Sequence, residues 1–211
     1  MTSGKNQLLI AGYVLAGGGS TRFGRDKALV EVGGKPMLAR MVELLQDVTQ
    51  TVKIVAVRGK YEAFGVEIVG DRWPGEGPLG GIITALEDAA VGSPRSAWNL
   101  MVGCDMPFLT REWLAFLTER ASKSKAQVVF PISSNGPEPL CACYRTDAAG
   151  VMRAAFETGA RKIAGAWKHT VTEVLDEADW KRFDSAGRLF WNMNTLADYE
   201  EAKRNLNMGH A

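Results

Sequence analysis

Apolar residues gather in short unbroken runs at Leu8–Leu15, Val52–Val57, Val66–Val69, Ala97–Val102, Val128–Phe130 and Leu140–Tyr144. Runs of that length without polar alternation fit strands covered on both faces. Segments between several of them carry helical spacing instead. Met37, Leu38, Met41, Leu44 and Leu45 recur on one face, behind Pro36, which suits a first helical turn. Two more helices are predicted over Gly80–Ala90 and Arg111–Ala121, the second with Thr110 as N-cap. Strands alternating with helices imply an α/β fold, a three-layer α/β/α domain around a mostly parallel sheet. Beyond Ala149 the pattern is less regular. Short strands are expected near Val171–Leu175 and Leu189–Asn192, then a helix over Leu196–Asn205 with Thr195 as N-cap and Asp198 facing its free N–H groups. Such sheets bind ligands at the carboxyl ends of their strands, where the loops after Leu15, Val57 and Val102 should gather.

Composition narrows the partners. The chain of 211 residues has no internal repeat or low-complexity linker and reads as a single domain, 1–211. Its formal net charge of +1 argues against nucleic acid or a membrane surface as partner. No apolar run approaches the ~20 residues of a membrane span. The opening MTSGKNQLLIAGYVL runs into a strand rather than forming a removable signal, so the cytoplasm is the default expectation. Three cysteines cannot all pair, and the only histidines are His169 and His210. Cys141 and Cys143 therefore read as small apolar residues on one face of a strand, not as half of a zinc site.

The chemistry concentrates between Val14 and Pro36, in VLAGGGSTRFGRDKALVEVGGKP. A strand that breaks into Gly17-Gly18-Gly19 can bring bare backbone N–H groups against phosphate oxygens, because glycine has no Cβ to hold them off. Arg22, Arg25 and Lys27 follow within reach of the same phosphates. Gly19 and Gly24 have the Walker spacing, but Arg25-Asp26 stand where Lys-Ser/Thr would be needed. The dinucleotide fingerprint fails as well, with Arg22 in place of its third glycine. A nucleoside triphosphate site of another kind is the favoured reading.

Two further signals accompany it. Val102-Gly103-Cys104-Asp105-Met106-Pro107 ends a buried strand on a carboxylate. Taken alone, Asp105 reads either as a turn cap or as a ligand for Mg²⁺ shared with a triphosphate. Gly70 to Ile82, GDRWPGEGPLGGI, is a loop running into a helix whose N-terminal N–H groups suit an anion or a base edge; the plain alternative is a connecting turn. Nearer the end, Asn192 and Asn194 lie two apart in Trp191-Asn192-Met193-Asn194-Thr195. They read either as turn and cap residues or as amides able to pair with a heterocycle edge.

The order Leu-Ala-Gly-Gly-x-Ser-x-Arg-hydrophobic-Gly-x-Asp-Lys, from Leu15 to Lys27, resembles the loop of nucleotidyltransferases that activate sugar phosphates and molybdopterin. Its compact Gly24-Arg25-Asp26-Lys27 ending is most similar to the molybdenum cofactor guanylyltransferase family. So are the Cys-Asp-x-Pro of 104–107, the Pro-Gly-x-Gly-Pro-Leu loop, the Pro-x-Pro-Leu-x-Ala-x-Tyr strand and the Asn-x-Asn-Thr ending. The resemblance implies a Rossmann-like sheet of the nucleotide-diphospho-sugar transferase type, with 1–110 as nucleotide-binding half and 111–211 as acceptor-binding half. It implies transfer of GMP from GTP to molybdopterin, with a cytidylyl- or other nucleotidyltransferase acting on molybdopterin or a sugar phosphate as the alternative. A sensor that has lost catalysis is the reading from another class, against which Lys27 and Asp105 speak together. By the same resemblance Arg22, Lys27 and Asp105 are catalytic, and Asp105 holds Mg²⁺. Leu15, Ala16, Gly17, Gly18, Gly19, Lys27, Asp71, Gly77, Pro78, Leu79 and Asp105 line the nucleotide, while Asn192, Asn194 and Arg161 meet the acceptor. Implied partners are GTP, molybdopterin and transiently bound molybdenum-insertion proteins or molybdoenzyme chaperones. In some members an asparagine near the end of the second strand touches the nucleotide; here Ala56-Val57-Arg58 stands there, so the contact is lost or passes to Arg58.

Overall fold

The computed structural model describes residues 9–17, 26–92 and 96–208. In chain order the strands are β1 (Ile10–Leu15), β2 (Glu31–Val32), β3 (Lys35–Pro36), β4 (Thr51–Ala56), β5 (Glu67–Gly70), β6 (Trp98–Gly103), β7 (Val128–Ser133), β8 (Gly136–Pro137), β9 (Cys141–Arg145) and β10 (Thr172–Leu175). The helices are α1 (Met37–Gln46), α2 (Pro78–Val91), α3 (Arg111–Lys123), α4 (Ala149–Glu157), α5 (Ile163–Trp167), α6 (Glu177–Trp180) and α7 (Leu196–Met208). The main sheet runs β10-β7-β9-β6-β1-β4-β5, with β8 beside β7, and β2 and β3 form a separate hairpin. β1 is parallel to β4 and β6, β4 to β5, and β7 to β10. Only β9 opposes its two neighbours within that row, so the sheet is mixed but mostly parallel, as its apolar runs predict.

Period-two geometry sorts the strand residues onto two cores. Ile10 and Val14 of β1 join α1, α3 and Ala202 of α7 on one side. Ala11, Tyr13 and Leu15 join α2, α4 and α5 on the other. The result is three layers. Trp113, fully buried on α3, anchors the first core; its indole N–H donates to Cys141 Sγ at 3.2 Å and its ring meets those of Phe116, Phe183 and Phe190. Cys104, Cys141 and Cys143 are buried free thiols. Thr110 caps α3 by accepting from the Trp113 N–H at 3.3 Å. Thr195 and Asp198 cap α7 reciprocally: the Asp198 N–H donates to Thr195 Oγ1 at 3.1 Å and the Thr195 N–H to Asp198 Oδ2 at 2.7 Å.

One expected strand is not there. Leu189 and Phe190 are buried, but the chain turns at this point, the Trp191 N–H donating to the Arg188 carbonyl at 2.9 Å. Phe190 packs edge-on against Trp113 and Trp180, with centroids 5.5 and 5.2 Å apart. A short apolar run needs only to be covered. Aromatic rings cover this one, where strand pairing was expected. α2 also begins earlier than expected, at Pro78 behind Gly77 with φ of 85°. Among the described residues no helix is long and apolar enough to cross a membrane.

Candidate active site

Sheet register brings the chemical segments to one edge. Leu15 lies opposite Gly103 on β6 and Val55 on β4, so the residues following each of these strands emerge side by side. The Ala16 N–H continues the ladder to the Val55 carbonyl at 2.9 Å. Beyond it opens a cleft of about 160 Å³ walled by Ala16, Gly17, Lys27, Gly103, Asp105 and Leu140. Of the residues the sequence marks, Leu15, Ala16, Gly17, Lys27 and Asp105 therefore meet in one cavity. Gly18, Gly19 and Arg22 lie outside the described residues.

Lys27 opens a short 3-10 turn, Lys27–Leu29, whose first residue is set by Asp26 accepting from the Ala28 N–H at 3.1 Å. The other Asp26 oxygen accepts from Tyr61 OH at 2.8 Å and Lys60 Nζ at 2.7 Å. Burial pushes the Asp26 carboxyl up, but the hydrogen bonds from Lys60, Tyr61 and Ala28 outweigh it and hold the group below the usual aspartate range. Lys27 Nζ donates to Asn194 Oδ1 at 2.9 Å and lies 4.0 Å from Asp105 Oδ2.

Asp105 is fixed from several directions. Its backbone carbonyl accepts from the Met193 N–H at 2.7 Å, and the Gly103 N–H before it donates to the Leu140 carbonyl at 2.9 Å. The turn is tight, since a Cβ on Gly103 would come within 2.9 Å of Asp105 Oδ1. Arg40 Nε braces the next turn through the Pro107 carbonyl at 3.0 Å. Burial raises the Asp105 carboxyl above its ordinary value, with the charge of Lys27 pulling the other way. Among the described residues no three or more His, Cys, Asp or Glu side chains converge as a metal cage. Asp26 and Asp105 both line the cleft, but Asp26 is taken by Lys60, Tyr61 and the Ala28 N–H. This leaves Asp105 as the carboxylate suited to a divalent cation such as Mg²⁺, which takes one or two carboxylates and completes its shell from phosphates and water.

The remaining marked residues fall around this centre. Asp71 continues from β5, its N–H on the Ala56 carbonyl at 2.9 Å and its Oδ1 accepting from the Trp73 N–H at 3.0 Å. A Cβ on Gly17 would stand 3.4 Å from Asp71 Oδ2, so this carboxylate borders the first glycine. Gly77 and Pro78 start α2, whereas the Leu79 side chain is wholly buried in the core and can offer a ligand only its backbone. Arg58 crosses the end of β5, where a Cβ on Gly70 would lie 2.8 Å from its Nε. Asn192 donates to the Phe190 carbonyl at 3.1 Å and hydrogen-bonds Glu138, a buried carboxyl raised by desolvation and bonded by Ser133 Oγ at 2.6 Å. Arg161 is engaged by Glu76 at 2.8 Å, on the loop before α2. Sequence reasoning missed the Tyr61–Asp26–Lys60 group. Asp26 stood in the motif without an assigned role, and Tyr61 carried no local signal.

Comparison with known proteins places the chain in a family. Residues 12–171 match the family described as MobA-like NTP transferase domain. The chain is 34% identical over 206 residues to a Pyrococcus furiosus protein named "Probable molybdenum cofactor guanylyltransferase", covering 92% of this chain and 97% of that one. A Clostridium perfringens protein of the same name is 28% identical over 191 residues, covering 89% and 93%. The crystal structure of molybdopterin-guanine dinucleotide biosynthesis protein A from Archaeoglobus fulgidus superimposes with a TM-score of 0.79 at 26% identity, covering 94% of this chain and 99% of that chain. A family match over most of the sequence, joined to relatives alike along nearly their whole length, makes the chain a member of the MobA-like NTP transferase family.

Proposed function

We propose that this chain transfers GMP from GTP to the terminal phosphate of molybdopterin, producing molybdopterin guanine dinucleotide and pyrophosphate. The names of its relatives support the base and the acceptor. The observation that carries the chemistry is the one cleft shared by Gly17 at the end of β1, Lys27 and Asp105. A phosphate-monoester oxygen of the acceptor attacks the α-phosphorus of GTP in line. The new P–O bond forms as the bond from the α-phosphorus to the bridging oxygen breaks, and pyrophosphate leaves with that electron pair. A monoester phosphate is largely ionised at neutral pH, so no side-chain base is required.

Positioning and charge neutralisation then account for catalysis. Backbone N–H groups from Gly17 to Gly19 hold phosphate oxygens, and Lys27, oriented by Asn194, meets the charge that develops on the leaving group, with Arg22 assigned the same task. Asp105 would hold Mg²⁺, which when bound neutralises charge on the triphosphate. Asp71, beside Gly17, and the Gly77-Pro78 start of α2 suit the nucleoside, and Asn192 suits the acceptor. In this reading 1–110 form the nucleotide half and 111–211 the acceptor half. Pyrophosphate release measured with GTP, CTP and ATP, each with and without molybdopterin and Mg²⁺, tests it. GTP should be preferred, and release should require acceptor and metal. Faster turnover with CTP would overturn guanylyl transfer, and GTP binding without release would overturn catalysis.

A further inference from the structure

The loop Asp71–Gly77 is fastened to α4 and the turn after it, far along the chain. Arg161 Nε donates to Glu76 Oε2 at 2.8 Å across 85 positions of sequence. The same guanidinium donates from Nη1 to the carbonyls of Phe156 and Ala160, at 2.9 and 3.2 Å, and lies 4.3 Å over the Phe156 ring. That ring also meets Trp73, centroid to centroid at 5.4 Å. Trp73 has Arg153 over it at 5.5 Å, and Arg153 Nη1 is held by Glu87 at 2.6 Å. Glu87 pairs with Arg72 as well. Arg72, Trp73 and Glu76 are thus each tied, directly or through Glu87, to α4 or its following turn.

The loop needs such bracing. Gly75 and Gly77 sit at φ of 87° and 85°, in a region that favours glycine, the residue that loses most backbone freedom when held in one shape. Trp73 is pressed onto the first turn of α2, where a Cβ on Gly80 would come within 2.9 Å of its Cβ. A half-exposed ion pair by itself contributes little. Here the guanidinium is already immobilised by two carbonyls and a ring, so pairing with Glu76 costs little further freedom. We propose that Arg161 and Phe156 are positioning residues that hold the Asp71–Gly77 loop in its nucleotide-binding shape, so that the later half of the chain sets the affinity for GTP. This rests on the reading that the loop lines the nucleotide pocket. It gives Arg161 to the nucleotide side, where the resemblance gave it to the acceptor phosphate.

Two measurements on the intact protein separate the proposal from the reading beneath it. Hydrogen exchange of the 72–77 amides without nucleotide should accelerate in Arg161→Ala and Glu76→Gln, and return toward wild type in the charge-swapped Glu76→Arg/Arg161→Glu pair. KM for GTP should rise roughly threefold to tenfold in Arg161→Ala. KM for molybdopterin and kcat should stay within twofold, with partial rescue by Arg161→Lys. Unchanged exchange, or a rise confined to the molybdopterin KM, overturns the proposal. Faster exchange with no change in the GTP KM shows a clasp on a loop that does not meet the nucleotide, which overturns the pocket reading and the inference built on it.

Discussion

At the scale of single residues, two carboxylates near Lys27 do opposite work. Asp105 is partly buried with its carboxyl raised by desolvation, so the fold carries its charge at a cost. Asp105→Asn keeps the shape and removes that charge. Turnover measured by pyrophosphate release should fall by about 10²-fold or more, the scale of one electrostatic element. The melting temperature should stay level or rise, by about 2–4 °C for each kcal/mol recovered in a chain of this size. Asp26 is stabilised in its charged form by Lys60, Tyr61 and the Ala28 N–H. A depressed folded value means its contribution is complete above the ordinary aspartate range near ~4 and is lost as pH falls through the lower folded value. Unfolding free energies of wild type and Asp26→Asn, read from urea titrations, should therefore differ at neutral pH, by about 1 kcal/mol after allowing for solvent screening, and converge in acid. A pH-independent gap would mean that the charge of Asp26 is not what these partners hold.

Among the elements, α1 and the turn after it approach β1 closely at a glycine. A Cβ on Gly12 would meet Thr49 Oγ1 at 2.9 Å and Leu45 Cβ at 3.1 Å. Thr49 cannot simply turn aside, because its hydroxyl donates to the Leu45 carbonyl at 2.7 Å. Gly12→Ala should consequently destabilise by about 1–3 kcal/mol, the usual cost of overpacking, read as a lower denaturant midpoint with an unchanged slope. Gly17 follows β1 at its other end, so α1 also fixes where Gly17 leaves the sheet. The β2–β3 hairpin adds a related link, with a Cβ on Gly33 standing 3.7 Å from Leu206 Cβ of α7. Through this contact and the Lys27–Asn194 bond, the end of the chain braces the start of the site.

For the whole molecule, a ligand that binds only the folded chain stabilises it by mass action. GTP with Mg²⁺ at a hundred times its Kd should add about 2.7 kcal/mol and raise the melting temperature by about 5–10 °C. In Asp105→Asn the part of that rise that depends on Mg²⁺ should vanish, which calorimetry with and without a chelator measures directly. The sequence by itself determined the alternation of buried strands and helices, the caps at Thr110 and Thr195, and the strand that ends by Gly17, near Lys27. Each of these is written in neighbouring residues, through side-chain periodicity, capping chemistry and the missing Cβ. Only the tertiary structure decided that β9 runs against its neighbours, that Leu189–Asn192 is a buried turn, and that Asp26 leans on Tyr61. It also gave Asn194 to Lys27 and Arg161 to Glu76. Such pairings join residues tens to more than a hundred positions apart, where local periodicity and propensity carry no information, and they form only when the packed layers bring the partners together.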